Sequence, residues 1–142
     1  MKKRTLLFAV VCSMAILFNN CGVIFGGSKY NGTIVAKDHP NAEIFINGQK
    51  MGNGQVTSLF PRDKTLQVEL KQEGCPTKTQ NFDRKFRTGN FIWSILSTGL
   101  VGLAVDLGSG ASYKPDHVSN PAVTKKDTKN FTFMVDYPDC KK

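Results

Sequence analysis

Between residues 32 and 74 short runs of strand-forming residues, two of them alternating apolar and polar positions with a period of two, are separated by turn residues. "GTIVAKD" at 32–38 has the β-branched content of a strand, and "AEIFING" at 42–48 places Ala42, Ile44 and Ile46 on one face and Glu43, Phe45 and Asn47 on the other. His39-Pro40-Asn41 between them is turn chemistry, because Pro40 cannot donate to a ladder. Asn47-Gly48 predicts a type I′ hairpin, with Gln49-Lys50-Met51-Gly52 as a short return strand and Gly48 structural. "GQVTSLF" at 54–60 continues as a strand, Pro61-Arg62-Asp63-Lys64 turns, and Leu66, Val68 and Leu70 alternate within "TLQVELKQEG" at 65–74. "TKTQNFDRKF" at 77–86 reads as a more polar strand and "NFTFMVDY" at 130–137 as the last one. Five or six short strands separated by turns predict a mainly β fold, a small antiparallel sandwich or open barrel.

Two apolar stretches break this pattern. At the N-terminus, Lys2, Lys3 and Arg4 precede an apolar run from Leu6 to Phe18 and then Asn19-Asn20-Cys21-Gly22. That run is short of the ~20 residues a bilayer span needs, and its order is that of a secretory signal over residues 1–20. The second stretch is "GNFIWSILSTGLVGLAVDLGSGASYK" at 89–114. Its apolar part, 91–107, would cover ~26 Å as a helix against a ~30 Å hydrocarbon core. It admits three readings: a membrane span, a helical insertion packed as core, or an insertion resting on the bilayer surface. In the core reading Gly99 and Gly102 permit close backbone approach, Gly108 and Gly110 stop the helix with positive φ, and Asp106 accepts hydrogen bonds from the backbone of 108–111. In the interfacial reading Arg84, Lys85 and Arg87 flank the segment and Trp93 anchors it, so these residues with Gly99 and Gly102 are the membrane- or partner-contact candidates.

The stretch Leu17-Phe18-Asn19-Asn20-Cys21 resembles a bacterial lipobox, with Phe18 and Asn20 departing from the favoured residues. The resemblance implies that Cys21 becomes the first mature residue and carries the lipid; the other reading is an ordinary signal cut near Asn20. Gly22 after the cysteine, by likeness to other lipoproteins, points to the outer membrane. Removing residues 1–20 takes away three positive and no negative charges, so the formal +8 becomes +5. A charge of that size is ordinary for a soluble domain, and the lysines are spread along the chain. Of four cysteines, Cys12 leaves with the signal and Cys21 would be acylated. Cys75 and Cys140 remain as an even pair in an oxidising compartment, and a bridge between them is expected. It would add ~4 kcal/mol in the chain-entropy view and is incompatible with a span at 91–107.

"TIVAKDHPNAEIFINGQKMGNGQVTSLF" resembles a PEGA domain, a small β module of surface and envelope proteins. Pro40, Ala42, Ile44, Ile46, Gly48, Gly52, Glu73 and Gly74 occupy the matching places, with Asn41 where the family usually has Gly and Cys75 where it has Tyr. The wider order through "GLVGLAVDLGSGASYKPD" is similar to a group of PEGA-type bacterial lipoproteins, over residues 21 to 118. The resemblance implies a β fold and an envelope location but no established reaction. The expected organisation is a signal over 1–20, a tether over 21–31, a PEGA-like β module over 32–88, an apolar helical insertion over 89–113, and a linker with the final strand over 114–142.

Motifs for chemistry are sparse. His39 and His117 sit by turns and read as exposed loop residues; no Cys-x-x-Cys, His-Glu-x-x-His or Gly-x-Ser-x-Gly occurs. "GNGQVTS" at 52–58 lacks the lysine of a phosphate loop, and "TKKDTK" at 124–129 reads as a solvated linker. The expectation is a non-enzymatic, lipid-anchored envelope protein with no metal or cofactor and no nucleic-acid partner. Its β domain would bind an envelope protein or a polysaccharide. The alternative is a membrane-interacting or oligomerising element acting through 89–113.

Overall fold

The structure, a computed structural model, describes residues 27–89, 92, 96 and 104–138. It is mainly β: β1 (Lys29–Ala36), β2 (Glu43–Ile46), β3 (Gln49–Asn53), β4 (Gln55–Pro61), β5 (Leu66–Lys71), β6 (Lys78–Phe82), β7 (Arg84–Phe86), β8 (Tyr113–Pro115), β9 (Val123–Lys125) and β10 (Asn130–Val135). They form two four-stranded sheets, β4-β1-β10-β9 and β3-β2-β5-β6, and a two-stranded ribbon, β7-β8.

The alternation dictates how the two large sheets meet. Tyr30, Ile34 and Ala36 of β1 and Phe131, Phe133 and Val135 of β10 are buried from one sheet. From the other come Ile44, Ile46, Leu66, Val68, Leu70 and Phe82, and the two sets form one core. Phe82 and Phe133 meet edge to face across the sandwich at 5.0 Å between centroids. The half-exposed strands predicted for 42–48 and 65–74 are thus β2 and β5, paired antiparallel with Ile44 opposite Leu70 and Ile46 opposite Val68. The hairpin at Asn47-Gly48 forms as its residues require, with φ of 51° and 83° at the two turn positions.

Several expectations are corrected. The sheets are not wholly antiparallel: β1 and β10 pair in parallel, Ile34 opposite Phe133, between the antiparallel strands β4 and β9. The chain's first and last described strands are therefore central neighbours that run in the same direction. The single strand expected at 77–86 is two strands in different sheets. Phe82 ends β6 in the core, and after Asp83 the chain leaves to pair β7 with β8, a step secured by Asp116 N–H donating to the Asp83 carbonyl at 3.1 Å. Thr124 and Lys125, expected in a solvated linker, belong to β9 and pair with β10.

Both histidines differ from their predicted exposure. His39 is buried, its ring 5.2 Å from that of Tyr137, and His117 is half-buried at the edge of Phe131. Tyr137 is buried too, and its hydroxyl donates to the Pro76 carbonyl at 2.5 Å. The end of the last strand is thereby held beside Cys75, which is disulfide-bonded. Cys140, its expected partner, lies outside the described residues, as do Cys21, Trp93, Gly99 and Gly102.

Of the apolar insertion, residues 89, 92, 96 and 104–108 are helical, as is Thr88 just before it, and three strands follow it rather than one. Among the described residues no helix is long and apolar enough to cross a membrane. Asp106 is buried within the helical segment 104–108, where its backbone carbonyl accepts from Ser112 N–H at 3.3 Å. Gly108 remains helical, so the positive φ expected at both glycines occurs only at Gly110, at 79°. Gly110 also faces the turn after β4: a Cβ there would sit 2.8 Å from Asp63 Cβ and 2.9 Å from Asp63 N. Gly110→Ala is expected to destabilise the domain by at least the ~1–2 kcal/mol that left-handed backbone costs a residue with a side chain. The measurement is a urea unfolding midpoint, and an unchanged midpoint contradicts the close approach.

Candidate functional site

The site is built at the end of the sandwich where β1 begins. Ser28, just before β1, accepts a backbone hydrogen bond from Arg62 N–H at 2.9 Å, so the turn after β4 lies beside the point where the chain enters the domain. The Arg62 side chain runs inward and is 1% exposed, the largest fully buried side chain among the described residues. Its guanidinium donates from Nη2 to the Thr128 carbonyl at 2.9 Å, and Nη1 lies 3.5 Å from the Tyr113 carbonyl. It also stands 5.8 Å from the centre of the Tyr30 ring. One side chain therefore joins the β4 turn to β8 and to the loop before β10.

No carboxylate pairs with this cation among the described residues, and its Nε has no hydrogen-bond partner among them. Burial lowers its pKa to about 10, Arg87 pushes in the same direction, and Tyr30 opposes them. The Tyr30 hydroxyl is raised above its ordinary value chiefly by burial. Both groups keep their usual charge states near neutrality, so Arg62 is a positive charge held inside the domain.

Directly outside it lies a cleft of about 440 Å³, walled by Lys85, Phe86, Arg87, Thr88, Gly89, Lys114, Val118, Lys125, Thr128 and Phe131. Its cations arrive from three places. Lys85 and Arg87 are two apart on and just beyond β7, and Arg87 N–H continues the ladder by donating to the Ser112 carbonyl at 2.8 Å. Lys114 is on β8, directly opposite Lys85 in the ribbon. Lys125 ends β9, on the neighbouring sheet.

Like charges opposite one another in a ladder destabilise it, so the Lys85–Lys114 pair works against the ribbon that carries it. The pKa of Lys114 is lowered first by desolvation and then by Lys125, Arg87 and Lys85, against a smaller opposing effect of Asp116. Burial lowers that of Arg87, whose Nη1 is enclosed without a hydrogen-bond partner among the described residues. Lys85 is the better compensated cation, 3.8 Å from Asp116 and donating to Ser119 Oγ at 3.1 Å. None of the described residues lining the cleft is acidic. The arrangement is suited to an anion with several acceptor oxygens, for which an arginine fork and converging ammonium groups are the matching donors.

The basic flank picked out in the sequence divides between two jobs. Lys85 and Arg87 face the cleft, whereas Arg84 stacks over the Tyr113 ring at 4.4 Å and donates to the Asp63 carbonyl, bracing the ribbon against the β4 turn. Lys114, Lys125 and Arg62 were not singled out by sequence reasoning. Lys125 lies in a lysine-rich run with the composition of solvated linker, and an arginine in a Pro-Arg-Asp turn carries no sign of burial. Among the described residues no group of three His, Cys, Asp or Glu side chains is placed to hold a metal ion.

Arg62→Ala removes a charge-assisted bond and leaves the Thr128 carbonyl without that donor. A loss of about 2–3 kcal/mol in chemical unfolding is expected. Arg62→Lys should recover only part of this, because an ammonium cannot reproduce the two-armed contact. Full stability in Arg62→Ala contradicts the bridging role.

No protein-family model, curated protein or solved structure matches the chain.

Proposed function

We propose that this chain is a non-enzymatic, lipid-anchored protein of the bacterial cell envelope, with Cys21 as the acylated first mature residue and the outer membrane as its site. Its PEGA-like β domain holds an envelope protein or glycan partner close to the membrane. The observation that carries the reading is the order of parts along the chain. A basic n-region, a short apolar run and Cys21 are followed within eight residues by β1, so little chain separates the anchor from the folded domain.

The turn at His39–Asn41, the Asn47-Gly48 hairpin and the buried positions Ala42, Ile44 and Ile46 support the PEGA-type reading of residues 32–74. A Cys75–Cys140 bridge belongs to the same proposal. The Tyr137–Pro76 contact supports it by bringing the chain three residues before Cys140 to the residue next to Cys75.

A second reading, membrane contact through residues 89–113, is favoured by a specific observation: Ile92, Leu96, Val105 and Leu107 are exposed on helical residues. In a protein tethered at a bilayer, such groups are suited to the interface.

Cys21→Ala in the full-length chain tests the anchor. The expected outcome is transfer of the protein from the membrane to the soluble fraction, with loss of the acyl mass from the N-terminal peptide. Retention of the variant in membranes would contradict lipid anchoring as the main attachment.

A further inference from the structure

The cationic cleft opens at the same end of the sandwich at which the tether enters. Ser28 and the Thr128 carbonyl both bond Arg62, and Thr128 is itself part of the cleft wall. The seven steps from Cys21 to Ser28 can reach at most ~25 Å, so an acylated Cys21 keeps this end within that distance of the lipid. The apolar insertion leaves from the same place: Thr88 and Gly89 line the cleft and open the helical residues on which Ile92 and Leu96 are 52% and 74% exposed. Val118, also on the wall, is 69% exposed. Exposed apolar groups around a cationic recess, next to a membrane tether, match the layered chemistry of an anionic bilayer surface, where acyl chains lie under phosphates.

We propose that the cleft formed by Lys85, Arg87, Lys114 and Lys125 takes the phosphate of an anionic phospholipid headgroup, seating this end of the domain on the membrane that carries its anchor. The inference rests on the lipid-anchored reading and adds its orientation. Arg87 Nη1, enclosed and without a partner among the described residues, supplies an unused donor. Lys114 and Lys125 supply charge that no carboxylate on the wall offsets, and a bound phosphate relieves the repulsion between Lys85 and Lys114 across the ribbon. Asp116, 3.8 Å from Lys85 and acting also on Lys114, and Asp127, which interacts with Lys125, offset part of this charge from outside the wall.

The test uses the mature chain, residues 21–142, with Cys21→Ser, which takes no acyl group and lacks the basic, apolar signal, and vesicles of phosphatidylcholine with or without phosphatidylglycerol. The chain is expected to sediment with the anionic vesicles and not with the neutral ones. Arg87→Gln with Lys114→Gln should weaken this partition by roughly twenty-five-fold, about fivefold for each basic residue removed near the surface. Unfolding midpoints of the variants are measured alongside. If the double variant is destabilised, Lys125→Gln alone, with an expected loss of about fivefold, carries the comparison.

Equal partition by the starting chain and the variants overturns the proposal, as does equal binding to neutral vesicles, which would assign attachment to the apolar insertion. Binding of inorganic phosphate by calorimetry without any vesicle binding overturns the lipid assignment in favour of a soluble or glycan-borne phosphate. Because no acyl chain is present, these outcomes are independent of whether Cys21 anchors the native protein, which is read from fractionation.

Discussion

The end of the sandwich at which the chain enters is organised around one buried guanidinium. Arg62 sits in a turn, a place where an arginine ordinarily faces water, yet it is 1% exposed and bonded to a backbone carbonyl rather than to a carboxylate. Taking that charge out of water is costly, and the carbonyls of Thr128 and Tyr113, with the Tyr30 ring nearby, offset that cost. What the domain gains is connectivity. Arg62 sits in the β4 turn and its side chain reaches both the β7–β8 ribbon and the loop before β10. Gly110 permits the same junction from the other side, since only a residue without a side chain lets the end of the helical segment press against Asp63.

A fixed positive charge beneath the cleft wall has an electrostatic consequence. It adds to the field of Lys85, Arg87, Lys114 and Lys125, and it lies where salt screens it less than it screens surface groups. The exposed ion pairs elsewhere, Lys50–Glu43 and Lys71–Glu69, show the ordinary arrangement of β-sheet charges, with opposite signs adjacent. The ribbon departs from it by facing lysine with lysine. A local arrangement that works against its own element is the pattern expected where a surface is shaped for a ligand rather than for stability. The cleft therefore gives the proposed tethering an orientation, with the insertion and the basic residues on the side of the anchor.

Much of the sandwich was legible along the chain because one face of each long strand is buried, which imposes a period of two on β1, β2, β5 and β10. The Asn47-Gly48 hairpin was legible for a different reason, since two consecutive positive φ values select those residues. The ribbon strands are three residues long, too short to show a period, so the division of 77–86 between two sheets left no trace in hydropathy. Nor does alternation name a strand's neighbour, and the parallel pairing of β1 with β10 is a property of the whole chain. Half of the candidate site was legible as the basic flank before the apolar insertion. Lys114 and Lys125 join it only because the ribbon and β9 bring distant residues together. The burial of His39 against Tyr137 was hidden similarly, its packing partner lying near the other end of the sequence.

The orientation is the central claim, and a depth measurement tests it directly. Lys37, whose N–H donates to Val135, lies past the far end of β1, about 25 Å of strand away from the end where the cleft opens. Nitroxide labels would be placed at Lys37→Cys or Val118→Cys in acylated protein on anionic vesicles, and their collision rates with oxygen and with a water-soluble relaxant compared. The account predicts that the label at 118 is at headgroup depth, shielded from the aqueous relaxant, and that the label at 37 is fully accessible to it. Equal accessibility at the two positions, or shielding at 37 alone, would contradict it.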